Sequence, residues 1–523
     1  MPRRHAAFPA LASLIVSLGL ATAYSHAAPL GYVEPRASRD IATSPWGIQA
    51  GSDERLDLLD RAGGIGVKWT RLLLNWNRIE SQKGRYDFRD AEAMIEASLR
   101  AGVQPFLCVT GGNKLYSEAI PNPDPNWRLI YGVKPAPPIL DETATRAWLA
   151  FVEAALEKFG DRVSHWEIWN EPNHYAYWGA KPNASDYGRL VRVTSEVIRQ
   201  RLPSARIIAG SLAGIDAKFI AGFLAEDNAR LVDIVSFHNY ANLPEARIAL
   251  ADETWAALNA HKPGLELWQG ECGYGSASST KDFRGTSPWG EIAQAKWLLR
   301  QAFIDTFYMR ASLSNYFKLF DGGDRSARQA RPELRPVDRI LGFPAEPTGR
   351  RVRGVGVNEK CLLSNPDLQP KPGYYAYRNL CAVIDGRYAP IPVAERPTVS
   401  VRTEGQFRGI AHDDAYPSVP LTAAYRRADG AVIVAYWLPW QPQEYTPRPA
   451  TVDLTVRGRH YAEPVLINLL DGSVHAVSSR HSGTDTVFTG VPLLDFPLVL
   501  AERSSITLVS APSAPIDEAV PRL

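Results

Sequence analysis

The feature that most limits the fold of this chain is an alternation of strand-like and helix-like segments that repeats eight times between about residues 44 and 385. The first repeat pairs Trp46-Gly47-Ile48-Gln49 with Leu56, Leu58, Leu59 and Ala62 at helical spacing, Ser52 serving as N-cap. Further strands are expected over residues 67–74, 103–110, 165–169, 205–210, 232–237, 265–268 and 313–320. Helical spacing recurs between them, in residues 90–99, 148–159, 187–198, 255–258 and 291–307, and residues 374–384 close the series. Such a chain builds a parallel sheet, and eight units in about 340 residues is what a (β/α)8 TIM barrel needs. A doubly wound open sheet is the competing topology, but no Gly-rich phosphate turn follows the first strand.

The texture changes near residue 390. Ile391-Pro392 and Arg396-Pro397 mark a boundary, and short alternating runs such as 398–401, 431–436 and 505–509 follow, separated by turns at Asp429-Gly430 and Asp471-Gly472. That pattern predicts an α/β barrel over 40–390 followed by an all-β sandwich over 391–512, with a Pro- and Ala-rich tail at 513–523.

Residues 1–27 read as a secretory signal peptide: Arg3-Arg4-His5, an apolar run from Phe8 to Leu20, then Ser25-His26-Ala27 as a small-x-small cleavage site. A retained N-terminal anchor is the competing reading. The mature chain is expected to be exported, periplasmic or extracellular, and no later run reaches the ~20 apolar residues of a membrane helix. A formal charge of +2 on 523 residues gives no electrostatic case for nucleic acid. The densest basic run, Arg350-Arg351-Val352-Arg353, reads as a solvated loop. Of four cysteines, Cys108 reads as a core thiol, while Cys361 and Cys381 are close enough in sequence to pair. No Cys/His spacing suits a metal, and no motif calls for a cofactor.

Two strands end on a glutamate. His165-Trp166-Glu167-Ile168-Trp169-Asn170-Glu171-Pro172 is an aromatic, apolar strand halted by a proline that cannot donate to a ladder. Leu267-Trp268-Gln269-Gly270-Glu271-Cys272 repeats the design at the seventh strand. A lone Glu at a strand end is more often solvated than functional. In a barrel, however, the carboxyl ends of all strands open into one mouth, so Glu171 and Glu271 are expected to meet there. Burial beside aromatic rings is expected to raise the Glu171 pKa and suit it to donate a proton. Two carboxyl groups with different protonation states are what glycosidic bond cleavage requires.

These motifs, with Lys371-Pro372-Gly373-Tyr374-Tyr375-Ala376-Tyr377 leading into the sandwich, make the chain resemble clan A retaining glycoside hydrolases, most of all glycoside hydrolase family 39. The resemblance implies Glu171 as general acid/base, Glu271 as nucleophile and Asn170 as holder of the sugar 2-hydroxyl. It also implies Arg71 as the buried cation that keeps the nucleophile ionised, and Tyr240 as the phenol that orients it, with His238 close by. Read without it, Arg71 is an ordinary core ion pair, Tyr240 packing and His238 a satisfied core histidine. Glu167 and Asp233 read as structural, and Cys272 as pointing away from the site.

Sugar faces stack on aromatic rings, and the chain has 14 tryptophans. Trp46, Trp76, Trp127 and Trp178 fall near strand ends, with Trp76 the first choice for substrate binding. Long insertions over 114–138 and 321–370 lie on the strand-end side, where loops set specificity. The substrate expected is a polysaccharide or oligosaccharide, with endo action on an exopolysaccharide preferred over an exo-acting β-xylosidase-like activity. A non-catalytic carbohydrate-binding barrel would have no need of both glutamates.

Overall fold

The computed structural model describes residues 28–50, 55–121, 134–241, 243–276, 290–320, 360–364, 368–403, 419–444 and 446–512. Residues 1–27, read above as a signal peptide, the tail, Ser52, Trp127, the 350–353 basic run and much of both insertions lie outside the described residues.

Eight parallel strands close into a barrel: β2 (Trp46–Ile48), β3 (Trp69–Asn75), β4 (Gln104–Thr110), β5 (His165–Ile168), β6 (Arg206–Ala213), β7 (Ile234–His238), β8 (Glu266–Cys272) and β9 (Leu313–Tyr316). Each strand pairs with the next, and β2 pairs with β9 to complete the circle. All eight fall where the alternation places them. The helices between them include Asp57–Ile65, Arg89–Arg100, Glu142–Phe159, Ala184–Arg201, Ala251–His261, Glu291–Phe303 and Pro372–Val383. The helix Ala217–Leu224 has no counterpart in the sequence reading: its eight residues are too short a window for periodicity to speak.

Strand parity divides the barrel interior into levels. Phe106, Ile208, Ile234, Trp268 and Leu313, with Trp69 against them, form an apolar plug in its N-terminal half. Two residues further along β3 and β5, the same inward face carries Arg71 and Glu167, so the plug gives way to charge just below the mouth. The outward face is apolar and packs on the helices, as Leu72, Leu74, Trp166, Ile168, Ile207 and Val235 do.

The C-terminal domain is a sandwich of an eight-stranded and a four-stranded antiparallel sheet. The larger sheet recruits β1 (Gly31–Val33) and β10 (Tyr388–Pro390) from before the residue-391 boundary. Three residues are too few to show an alternation, which is why β1 is silent in the sequence. One hydrophobic core runs from Trp297, Phe303 and Phe307 of the barrel into Tyr425, Val434, Trp437 and Leu500 of the sandwich. Polar ties reinforce it. Glu444 accepts the Ile292 and Ala293 N–H groups at 3.3 and 3.0 Å, capping the helix Glu291–Phe303. From the same helix, Lys296 reaches both oxygens of buried Asp495 at 2.9 Å. The sandwich braces the barrel.

No disulfide joins Cys361 to Cys381; all four cysteines are buried thiols. Cys381 is turned into the helix–barrel core beside Gly66, where a Cβ on the glycine would sit 3.2 Å from its own.

Candidate active site

Strand irregularities aim the functional side chains. After Ile168 the chain leaves β5 through Trp169 at φ 70° and reaches Glu171 at φ 50°, left-handed conformations that non-glycine residues rarely adopt. They are held by hydrogen bonds from Trp169 N–H to Val109 O and from Glu171 N–H to Ser211 O, 2.8 and 2.9 Å. Register shifts interrupt the β6–β7 ladder between Ala209 and Leu212, the β7–β8 ladder where Phe237 faces Gln269 and His238 faces Glu271, and the β8–β9 ladder between Gln269 and Cys272. Such bulges re-aim side chains beside active sites. The first needs Gly210: at φ 103°, a Cβ there would lie 2.5 Å from Ser236 O.

The structure brings six of the seven sequence-chosen residues together. Arg71, fully buried, directs Nε and Nη2 at Oε2 of Glu167 (2.6 Å) and Nη1 at Oε2 of Glu271 (2.9 Å). Its Nη2 also reaches Asn170 Oδ1 at 3.0 Å and Ser211 Oγ at 2.8 Å. A guanidinium can only donate, so Asn170 must present Oδ1 to it, and Nδ2 is left as a donor on the other edge of the amide. Tyr240 donates its O–H to Oε1 of Glu271. His238 places Nδ1 2.8 Å from Oε1 of Glu171 and 3.9 Å from Oε2 of Glu271. The nearest oxygens of the two glutamates are therefore no further apart than 2.8 plus 3.9 Å. That limit accommodates the ~5–5.5 Å carboxyl separation of retaining glycosidases.

Electrostatics distinguishes the nucleophile candidate. Burial pushes the Glu271 carboxyl up, but the His238 ring, the Arg71 guanidinium, the Tyr240 O–H and the Lys360 ammonium together hold it below the usual carboxylate range. Burial and then the charge of Glu271 push the Tyr240 phenol well up, so it remains a donor. Glu167 is the structural partner expected, gripped by Arg71 and by Ser236 Oγ at 2.7 Å. Cys272 is buried in the outer core, away from the mouth.

Trp76 is a correction. It is fully buried, stacks on Tyr116 at 5.4 Å and gives its Nε1–H to Glu80 at 2.6 Å, so no face is left for a sugar. Trp46 and Trp178 are likewise fully buried, Trp46 donating to Ile384 O and Trp178 lying edge-on to Trp169. Their rings serve the outer core, not the mouth.

Four residues of the site escaped the sequence reading. Ser211 follows the glycine at which strand five was expected to end. Lys360 sets its Nζ 4.1 Å from the Tyr240 ring centroid, and half-buried Phe317 lies edge-on to the same ring at 6.3 Å. Leu73 is 47% exposed although it sits inside a barrel strand. It is two residues beyond Arg71 in a ladder with no register shift, so it faces the mouth; strand parity was the signal that would have found it.

No protein-family model and no curated protein matches the sequence. The fold does have relatives. A family 39 glycoside hydrolase from the gut symbiont Bacteroides cellulosilyticus superposes with a TM-score of 0.56 at 17% identity, over 88% of this chain and 81% of that one. A monomeric beta-xylosidase from Caulobacter crescentus gives 0.53 at 17%, over 90% and 97%. A GH30 endoxylanase from Clostridium papyrosolvens gives 0.54 at 10%, over 90% and 98%. The likeness to these glycoside hydrolases is one of overall fold.

Proposed function

We propose that this chain is an exported retaining glycoside hydrolase that cleaves O-glycosidic bonds inside an exopolysaccharide by double displacement. The observation that carries the reading is the facing pair Glu171 and Glu271, both at the barrel mouth, of which Glu271 alone receives the hydrogen bonds of Arg71 and Tyr240. In the first step Glu271 attacks the anomeric carbon while Glu171 passes a proton to the leaving oxygen, which keeps the electron pair of the broken bond. In the second, Glu171 takes a proton from water, the water oxygen bonds to the anomeric carbon, and Glu271 is released as carboxylate. Asn170 Nδ2 is oriented by Arg71 to meet the sugar 2-hydroxyl.

Endo action is supported by the length of the sequence inserted after β4 and β9, on the strand-end side where loops set specificity. Mass analysis and anomeric proton NMR of products from a panel of bacterial polysaccharides, with wild type, Glu171→Gln and Glu271→Gln, test the reading. Oligosaccharides of retained anomeric configuration are expected from wild type and almost none from the variants. Release of monosaccharide from chain ends would replace endo with exo action, and wild-type turnover by both variants would remove the glycosidase assignment.

A further inference from the structure

Ser211 occupies an unusual position. It is fully buried at the β6 bulge and has a φ of 48°, a conformation that persists in a non-glycine residue only where its surroundings over-determine it. They do so here: its N–H donates to Ser236 Oγ at 2.8 Å, and its carbonyl accepts the N–H of Glu171 at 2.9 Å. Its side chain stands between the two halves of the catalytic pair. Oγ is 2.8 Å from Nη2 of Arg71 and 3.1 Å from Nε2 of His238.

The donor inventory of these groups fixes the protons. Arg71 has no acceptor, so Ser211 Oγ receives from it. Among the described residues the acceptor within reach of the Ser211 hydroxyl proton is then Nε2 of His238. A nitrogen that accepts carries no proton, so whenever the imidazole is neutral its hydrogen sits on Nδ1, 2.8 Å from Oε1 of Glu171. The opposite tautomer would leave a buried hydroxyl proton without a partner, a costly arrangement. With Nδ1–H directed at Oε1, that oxygen is an acceptor, and the proton of the acid form belongs on Oε2.

We propose that Ser211 is a positioning residue that sets the tautomer of His238 and thereby confines the transferable proton of Glu171 to Oε2. Through the same hydroxyl it joins the Arg71 that steadies the nucleophile to the carboxyl that delivers the proton. The inference rests on the acid/base reading of Glu171, but its structural half is measurable without turnover.

The test is nitrogen-15 NMR of the full chain labelled at histidine, with His238→Gln assigning the His238 signals. Ser211→Ala and Ser211→Gly are the probes; glycine adopts a φ of 48° without strain, so a loss in that variant belongs to the missing hydroxyl. Wild type is expected to show His238 protonated at Nδ1, and both variants to move the proton wholly or partly to Nε2. On aryl glycosides, the variants are expected to lose roughly ten-fold or more in kcat/KM with a poor leaving group, a share of the ~10²–10⁴-fold that general acid catalysis supplies. The loss should be markedly smaller with a dinitrophenolate, which departs unassisted. Protonation of wild-type His238 at Nε2, an unchanged tautomer in both variants, or equal losses on both leaving groups would each overturn the proposal. A wild type inactive on every glycoside would instead remove the glycosidase reading, with the NMR result still deciding the tautomer.

Discussion

Nη1 of Arg71 donates to Oε2 of Glu271 across 2.9 Å at the end of a fully buried guanidinium, and Tyr240 holds the other carboxyl oxygen. Burial alone would drive Glu271 towards its neutral form; the His238 ring, Arg71, Tyr240 and Lys360 together reverse the balance. In the proposed mechanism the acidic limb of kcat/KM reports the ionisation of Glu271 in the free enzyme, so in wild type it should lie below the ordinary carboxylate range. Tyr240→Phe removes one lowering contact and is expected to move that limb to higher pH, while a pH-rate profile with an unmoved limb would deny Tyr240 this role.

Arg71 serves two carboxylates, and its loss should be felt in folding as well as in chemistry. Arg71→Met leaves Glu167 with no cation although neither side chain has any solvent exposure. Stranding a buried charge costs about 3–5 kcal/mol. Adding Glu167→Gln removes the stranded charge and should recover much of the denaturation midpoint in urea, without recovering activity, because Glu271 still lacks its partner. Equal stability of single and double variants would argue against this division of labour.

The parts of the site legible in the sequence are those carried by strand periodicity and unusual strand ends. Glu171 and Glu271 stand out because a charge terminates an apolar run, and barrel geometry then places them together. Ser211 was hidden because Gly210 reads as the end of a strand, whereas the chain uses it to turn a bulge and continue to Ala213. Trp76 misled for a related reason. Proximity to a strand end says nothing of the side on which a ring lies, and its indole is committed to Glu80 and Tyr116. Lys360 follows a long insertion, so no local pattern ties it to Tyr240.

The brace between domains predicts that they do not separate. Lys296 and Asp495 are both completely buried, as are Arg300 and Glu245. Asp495→Asn removes the carboxylate that Lys296 contacts through both oxygens and should cost about 3–5 kcal/mol in urea unfolding, while a Lys296→Met, Asp495→Asn double variant recovers most of it. A chain ending near residue 390 would expose the apolar face formed by Trp297, Phe303 and Phe307. It is expected to aggregate; a soluble, cooperatively unfolding barrel from that truncation would show that the sandwich is dispensable.

Asp305 lies far from the catalytic pair in sequence role yet should dominate the alkaline side of stability. It is fully buried at the end of the helix Glu291–Phe303, accepting from Gln301 Nε2 at 2.6 Å and bonded to Ser314 Oγ at 2.8 Å. Burial pushes its pKa from 3.8 up to about 8, against those two hydrogen bonds. A group whose folded pKa lies above its unfolded value stabilises fully below the unfolded pKa and loses that stability as pH rises through the folded one. For Asp305 the loss therefore runs from about pH 4 to about pH 8, and a shift of this size corresponds to something on the order of 5 kcal/mol. Asp305→Asn keeps an acceptor for Gln301 and a polar partner for Ser314 but does not titrate. Thermal unfolding of wild type should fall from pH 5 to pH 9 by more than that of the variant, with the two curves diverging as pH rises. Parallel curves across that window would show that Asp305 is ionised and accommodated in the folded protein.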